Sequence, residues 1–351
     1  MWYGKKKLQT FTQTQNPISS MPLKIGVIGV GHLGKIHLRC IQSVPTLSLG
    51  GFYDADKINS EKVAQDYSTP AFESPEALID AVDIVDIVTP TVFHYKIAEA
   101  AIKKGKHVFI EKPLTHTVQE AKKLIALAEK YKVQVQVGHV ERFNPAYLVL
   151  KNRSLQPMFI EAHRLASFNP RGTDVSVILD LMIHDIDLIL HVVKSPVKKI
   201  HASGVAVISA TPDIANVRLE FENGCVANLT ASRISMKQMR KIRMFQEDAY
   251  ISLDFLEKSA QIIRLHNEND LANFDTAEKD TFLPFDSVKG KKWLEIKNPD
   301  VPNVNAIEME LTAFAEAVKN NTPPPVTIYD GYAALNVAHK IIKKIGDTKF
   351  S

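Results

Sequence analysis

The chain has 351 residues, 45% of them hydrophobic and 23% charged, a length that favours two domains and a composition that buries ordinary cores. Its formal charge of +4 does not point to nucleic acid, because Lys5, Lys6 and Lys7 supply three of those charges and leave +1 for the remainder. No apolar run reaches the roughly eighteen residues needed to span a membrane, and Cys40 and Cys225 read as buried thiols of a reducing cytoplasm, not as a disulfide.

Residues 1–22 are polar and lack the apolar stretch of a signal peptide; they are expected to be a disordered extension or, with Met21 as the true start, a start-site artefact. An apolar strand over Leu23 to Ile28 then runs into Gly29-Val30-Gly31-His32-Leu33-Gly34, followed by a helix from Lys35 to Ser43. That is the strand, turn and helix order of a dinucleotide fingerprint. Gly29 permits the tight turn, Gly31 lets backbone approach a pyrophosphate, and Gly34 lets helix pack on strand.

The next strand, Leu47 to Tyr53, ends in Asp54, placed to accept hydrogen bonds from an adenosine ribose. A carboxylate there repels a 2′-phosphate, and Ala55 and Asp56 supply no cation, so NAD is expected and not NADP. Further strands over Ile84 to Val88, His107 to Ile110 and Val133 to Val137 end in Thr89-Pro90-Thr91, Glu111-Lys112-Pro113 and Gly138-His139. In a doubly wound parallel sheet those ends line one crevice, with His94 beyond one edge. Residues 23–140 are therefore expected to form an NAD-binding Rossmann domain. A lysine at such a strand end can hold a reacting oxygen.

After Pro145 the pattern becomes one of alternating strands: Phe159 to Leu165, Lys199 to Val207, Ala215 to Glu222, Cys225 to Ser232, Ile242 to Phe245, Ala249 to Leu253 and Gln261 to Leu265. Residues 141–351 are expected to form an α+β domain on a large, mostly antiparallel open sheet. Asn223-Gly224 predicts a two-residue type I′ hairpin, and Asn267 to Lys292 a long loop. Helices are expected over Ala306 to Asn320 and Asp330 to Ile345.

The helix predicted from Ser176 to Val193 carries Asp180, His184, Asp187 and His191 as a polar stripe on an otherwise apolar surface. Solvated faces are usually built from Lys, Glu and Gln, and this stripe has none. Asp180 and His184 are expected to be functional, Asp187 and His191 structural.

Together, Gly29 to Gly34, Thr89-Pro90 with His94, Glu111-Lys112-Pro113, and Asp180 four residues before His184 resemble the glucose-fructose oxidoreductase and inositol dehydrogenase (Gfo/Idh/MocA) family. The resemblance runs from Leu23 to the C-terminus and implies a Rossmann domain followed by an open-sheet domain for substrate binding and oligomerisation. It matches Lys112, Asp180 and His184 to the family's catalytic positions.

Gly138 to Pro145, Arg171-Gly172-Thr173-Asp174 and Asp180 to Asp185 resemble the family's UDP-N-acetylglucosamine 3-dehydrogenase branch, which makes a keto sugar later aminated for a lipid A precursor. This implies lipopolysaccharide biosynthesis in the cytoplasm and a downstream aminotransferase, while the large alternating sheet, with more apolar faces than its few helices cover, leads to the expectation of a homo-oligomer (dimer or tetramer). His184 would be the base, Asp180 would orient its ring, and Lys112 would steady the substrate oxygen.

Cofactor contacts are expected from Gly29, Gly31, His32, Leu33, Gly34, Asp54, Thr89, Pro90, Thr91, His94, Glu111, Lys112 and His139. Substrate contacts are expected from Arg142, Asn144, Arg164, Arg171, Asp180 and His184, with the arginines as forks for phosphate. His139, Glu141, Asp180 and His184 could suit a metal, but no HExxH or clustered-cysteine pattern accompanies them, so none is expected. The alternatives are an NAD(P)-dependent free-sugar or polyol dehydrogenase and a non-catalytic dinucleotide or sugar sensor; retention of both Lys112 and His184 argues against the sensor.

Overall fold

The structure is a computed structural model that describes residues 21–151, 153–169, 175–274, 282–288 and 290–347. The N-terminal extension 1–20 lies outside them. Strands β1 (Leu23–Ile28), β2 (Leu47–Tyr53), β3 (Ile84–Ile87), β4 (His107–Glu111) and β5 (Val135–Gly138) form a parallel sheet in the order β2-β1-β3-β4-β5. Every residue of β3 and β5 is buried, as expected of a parallel sheet covered on both faces. The order reverses between β1 and β3, which opens the crevice at their carboxyl ends.

Helices α1 (His32–Ser43), α2 (Lys57–Tyr67), α3 (Pro75–Ala81), α4 (His94–Lys103) and α5 (Val118–Tyr131) connect these strands. The start of α5 is fixed by a capping box between Thr117 and Glu120, and that of α2 by Asp56, whose side chain accepts from the Ile58 and Asn59 N–H groups.

The second sheet has nine strands: β6 (Phe159–Leu165), β7 (Val197–Val205), β8 (Ile214–Phe221), β9 (Val226–Ser232), β10 (Met239–Phe245), β11 (Ala249–Asp254), β12 (Ser259–His266), β13 (Leu283–Ser287) and β14 (Gly290–Lys297). Its order is β13-β14-β12-β11-β10-β6-β9-β8-β7, antiparallel except where β6 lies parallel to β9. Two local expectations are corrected. At Asn223-Gly224 the turn has three residues: Phe221 N–H donates to Cys225 O at 2.9 Å, and Gly224 takes a φ of +87° while Asn223 does not enter the left-handed region. The loop expected over Asn267 to Lys292 contains the β13–β14 hairpin. Leu283 and Phe285 stay exposed at this sheet edge, and no residue of β13 is buried, so that strand has no hydrophobic period to read.

A short helix α6 (Pro145–Leu148) precedes β6, and α7 (Ile183–Val193) lies on the inner face of the large sheet, continuing from a π-helical turn over Ile178–Met182. Helices α8 (Ala306–Asn320) and α9 (Ile328–Asp347) close the chain. Leu311, Phe314 and Ala315 of α8 join the core formed by Ile25, Val27, Leu38 and Phe109, and Val137 N–H donates to Val326 O at 3.1 Å. The C-terminal segment thus returns to the parallel sheet. α9 packs its Val337, Ala338 and Ile341 under the large sheet.

Candidate active site

The glycine loop is packed below and open above. A Cβ on Gly34 would stand 2.0 Å from Gly29 O, and Gly29 itself has a φ of +92°, so both positions require glycine. A Cβ on Gly31 would meet nothing within 4 Å. That space lies at the start of α1, where unpaired N–H groups favour an anion, and it fits a pyrophosphate. His32 and Leu33 are exposed on the same first turn.

At the end of β2, Asp54 accepts from Val30 N–H at 2.7 Å and from Asp56 N–H at 2.9 Å. A carboxylate has acceptor capacity beyond these two bonds, which suits ribose hydroxyls. Two residues that pattern reading did not single out support the loop: Asn59 donates to Val30 O at 3.1 Å, and Lys35 donates to Asn59 Oδ1 at 2.9 Å. Beyond β3, Pro90 is exposed and Thr91 half-buried. Thr89 Oγ1 is buried without a partner among the described residues.

Two expected cofactor residues are turned inward. His94 is a buried tie, with Nε2 2.8 Å from Thr89 O and Nδ1 3.0 Å from Pro113 O, so it joins two strand-end loops. Glu111 lies 3.2 Å from His37 Nε2 and accepts from Lys112 N–H at 3.1 Å. Burial alone would lower the His37 pKa, but Asp86 at 2.8 Å and Glu111 more than offset it and hold it raised. Glu310, buried beside this group, has its pKa raised by burial and then by the Glu111 charge.

From β4, Lys112 reaches across to the π-helical turn. Its Nζ donates to Asp180 O at 2.8 Å and lies 3.5 Å from Asp180 Oδ1. The turn arises where Ile183 N–H donates back to Ile178 O, an i→i+5 bond of the kind that recurs at functional sites. His184 follows on the next turn, with Nδ1 buried and unpartnered among the described residues. Asp180 therefore meets Lys112 and makes no hydrogen bond to the imidazole, which corrects the expected ring-orienting role. Burial first, then the charges of Lys112 and Arg164, push the His184 pKa well below the ordinary histidine value. The ring is neutral at neutral pH and can accept a proton. His139, at the end of β5, is buried with both ring nitrogens unpartnered among the described residues.

Residues 23–139 match the oxidoreductase family model with the NAD-binding Rossmann fold, and residues 153–252 match the GFO/IDH/MocA C-terminal domain. The UDP-N-acetylglucosamine 3-dehydrogenase of Acidithiobacillus ferrooxidans is 40% identical over 241 residues, spanning 68% of this chain and 76% of the relative. The chain belongs to the Gfo/Idh/MocA oxidoreductase family. A solved structure of that dehydrogenase superposes with a TM-score of 0.82 at 32% identity, over 93% of this chain and 99% of the other. The NAD-dependent scyllo-inositol 2-dehydrogenase of Bacillus subtilis is 28% identical over 339 residues, 90% of this chain and 92% of the relative. As a Gfo/Idh/MocA protein, the chain is an NAD-dependent oxidoreductase with a Rossmann domain and a large, mostly antiparallel sheet.

In this family member the expected phosphate forks are already occupied. Arg142 donates to both oxygens of Asp187 at 2.6 and 2.7 Å, lies 3.3 Å from Asp330, and places Nη1 2.8 Å from His191 Nδ1. Arg164 donates to Asp185 at 2.8 Å and to Glu141 at 2.8 Å. Both guanidinium groups are buried, which corrects the substrate roles expected of them. Asn144 is corrected likewise: it caps α6 through Ala146 N–H and donates to Glu141 and Phe255 O. Arg171 lies outside the described residues. A cavity of about 910 Å³ sits at the far end of α7, lined by Tyr147, His191, Asn305 and Glu316, away from Lys112 and Asp180. Among the described residues, no group of three or more His, Cys, Asp or Glu could hold a metal.

Proposed function

We propose that this oxidoreductase removes hydride from carbon 3 of a UDP-N-acetylglucosamine-type nucleotide sugar and yields a keto sugar for later amination. The observation that carries the reading is the meeting of Lys112 with Asp180 one turn before a neutral His184, in a chain similar to a UDP-N-acetylglucosamine 3-dehydrogenase. NAD, when bound, supplies the hydride acceptor. The residues that would hold it are Gly29, Gly31, His32, Leu33, Gly34 and Asp54 together with Thr89 to Thr91.

His184 takes the proton of the sugar hydroxyl, a contribution of about 100- to 10,000-fold. Lys112 hydrogen-bonds the same oxygen and favours its anionic character; loss of one such preorganised donor costs about 2.7–4 kcal/mol. Asp180 holds the Lys112 ammonium against the helix. Residues 23–140 hold the cofactor and residues 141–351 hold the substrate and join the subunits of a homo-oligomer. We place the reaction in the cytoplasm, ahead of an aminotransferase that uses the keto sugar for a lipid A precursor.

The test is to incubate the protein with NAD and a panel of UDP-sugars, following NADH with and without an aminotransferase that removes the keto product. NADH formation with UDP-N-acetylglucosamine supports the reading. No NADH across the panel, with a tightly bound sugar recovered by mass spectrometry, favours a sensor.

A further inference from the structure

With Arg142 and Arg164 both closed by carboxylates, an unclosed guanidinium stands beside Arg164 on the inner face of the large sheet. Arg240 lies on β10 directly across from Arg164 on β6. Its phase is that of Ile242 and Met244, which are buried on the inner face beneath α7, so Arg240 points to the same face. It is nevertheless exposed, and among the described residues its side chain makes no hydrogen bond or ion pair. Arg164, its partner across the strand pair, binds Asp185, the residue after His184, so Arg240 stands one strand away from the contact that holds the helix of the base, and its charge reaches both His184 and Asp185.

We propose that Arg240 is the specificity residue that binds the phosphate of the substrate. This rests on the sugar-oxidation reading above and deepens it. An arginine placed only to neutralise Asp185 would have closed onto it, as Arg164 does at 2.8 Å. Arg240 instead stays exposed on the sheet face that carries the helix of His184, the base that must meet a hydroxyl of the sugar ring. A phosphate on the anomeric oxygen of that same ring is only a short covalent distance from the reacting carbon, within the span of one side chain. The guanidinium fork matches phosphate oxygens in geometry and charge. The ligand chemistry is a sugar phosphate, whether the diphosphate of a nucleotide sugar or a simple anomeric monophosphate.

Arg240→Ala, Arg240→Lys and the wild-type chain, each loaded with NADH, are titrated calorimetrically with UDP and with N-acetylglucosamine 1-phosphate. Loss of a charged hydrogen bond should weaken binding of the phosphate by roughly 10- to 150-fold in Arg240→Ala. KM for UDP-N-acetylglucosamine should rise by a similar factor while kcat falls less, and Arg240→Lys should recover part of the loss. Melting temperature and NADH affinity should not change, which a purely structural role would not predict. UDP favoured over the monophosphate identifies a diphosphate ligand, and the reverse order a monophosphate.

Arg240→Ala binding both probes as tightly as wild type overturns the inference, as does a wild-type chain that binds neither. Arg240-dependent UDP binding without oxidation of any UDP-sugar leaves the inference standing and removes the proposed substrate. Oxidation of UDP-N-acetylglucosamine with the same KM in Arg240→Ala removes the inference alone.

Discussion

His184 and Lys112 are coupled by charge as well as by place. Burial first, and then the two cations Lys112 and Arg164 to which a protonated His184 would add a third, depress its folded pKa. In the proposed role of base, His184 is competent above that depressed value and is lost as pH falls through it. The acid limb of kcat/KM should therefore lie below the ordinary histidine value of about 6.5, and Lys112→Met should move it upward by removing a cation. A pH–rate profile checks this, and a wild-type limb at or above the ordinary value contradicts it. His184→Ala should lower kcat/KM by about 100- to 10,000-fold in the NADH assay, and turnover within about twofold of wild type would remove the base assignment.

A different outcome belongs to Arg164. Arg164→Met leaves Asp185 and Glu141 buried without their cation and should cost about 3–5 kcal/mol, read by urea unfolding. The residue types were legible in the sequence; their pairings were not. Arg142 and Arg164 offered the forks that phosphates require, yet their partners Asp187 and Asp185 lie 45 and 21 positions away and meet them only through the fold. Arg240 could have been found from its even phase with Ile242 and Met244, once β10 was extended to Met239.

Among the elements, the glycine loop separates packing from binding. Gly34→Ala places a methyl against Gly29 O and should destabilise the fold by about 1–3 kcal/mol. Gly31→Ala meets only open space, so it should leave stability within about 0.5 kcal/mol and weaken NAD binding. Thermal unfolding and a nucleotide fluorescence titration separate the two; equal losses of stability would contradict the loop geometry. This element was legible because its order of strand, glycines and helix is local. So were β1, β2, β6 and α5, whose periodicity shows one clean face or a continuous apolar run. The π-helical turn at Ile178–Met182 was not, because its side-chain pattern passes for an α-helix and only the shifted hydrogen bond distinguishes it. The β13–β14 hairpin escaped notice because an edge strand with exposed faces has no hydrophobic period to read.

At the scale of the molecule, two sheets share the site. Lys112 comes from the end of the parallel sheet and Asp180 from the helix lying on the large one, so their 2.8 Å contact depends on how the two halves pack. That packing is secured by the returning C-terminal segment: Leu311 and Phe314 complete the core around β1, and Val326 pairs with β5. Alternating strands in the sequence indicated the large sheet, but no local pattern indicated that its last helices would cross back. The central claim concerns one carbon of one sugar. UDP-N-acetylglucosamine carrying deuterium at carbon 3 should, with this protein and NAD, give NADH that contains one deuterium, read by mass spectrometry. NADH formed without label, with the deuterium still on the sugar, would contradict it.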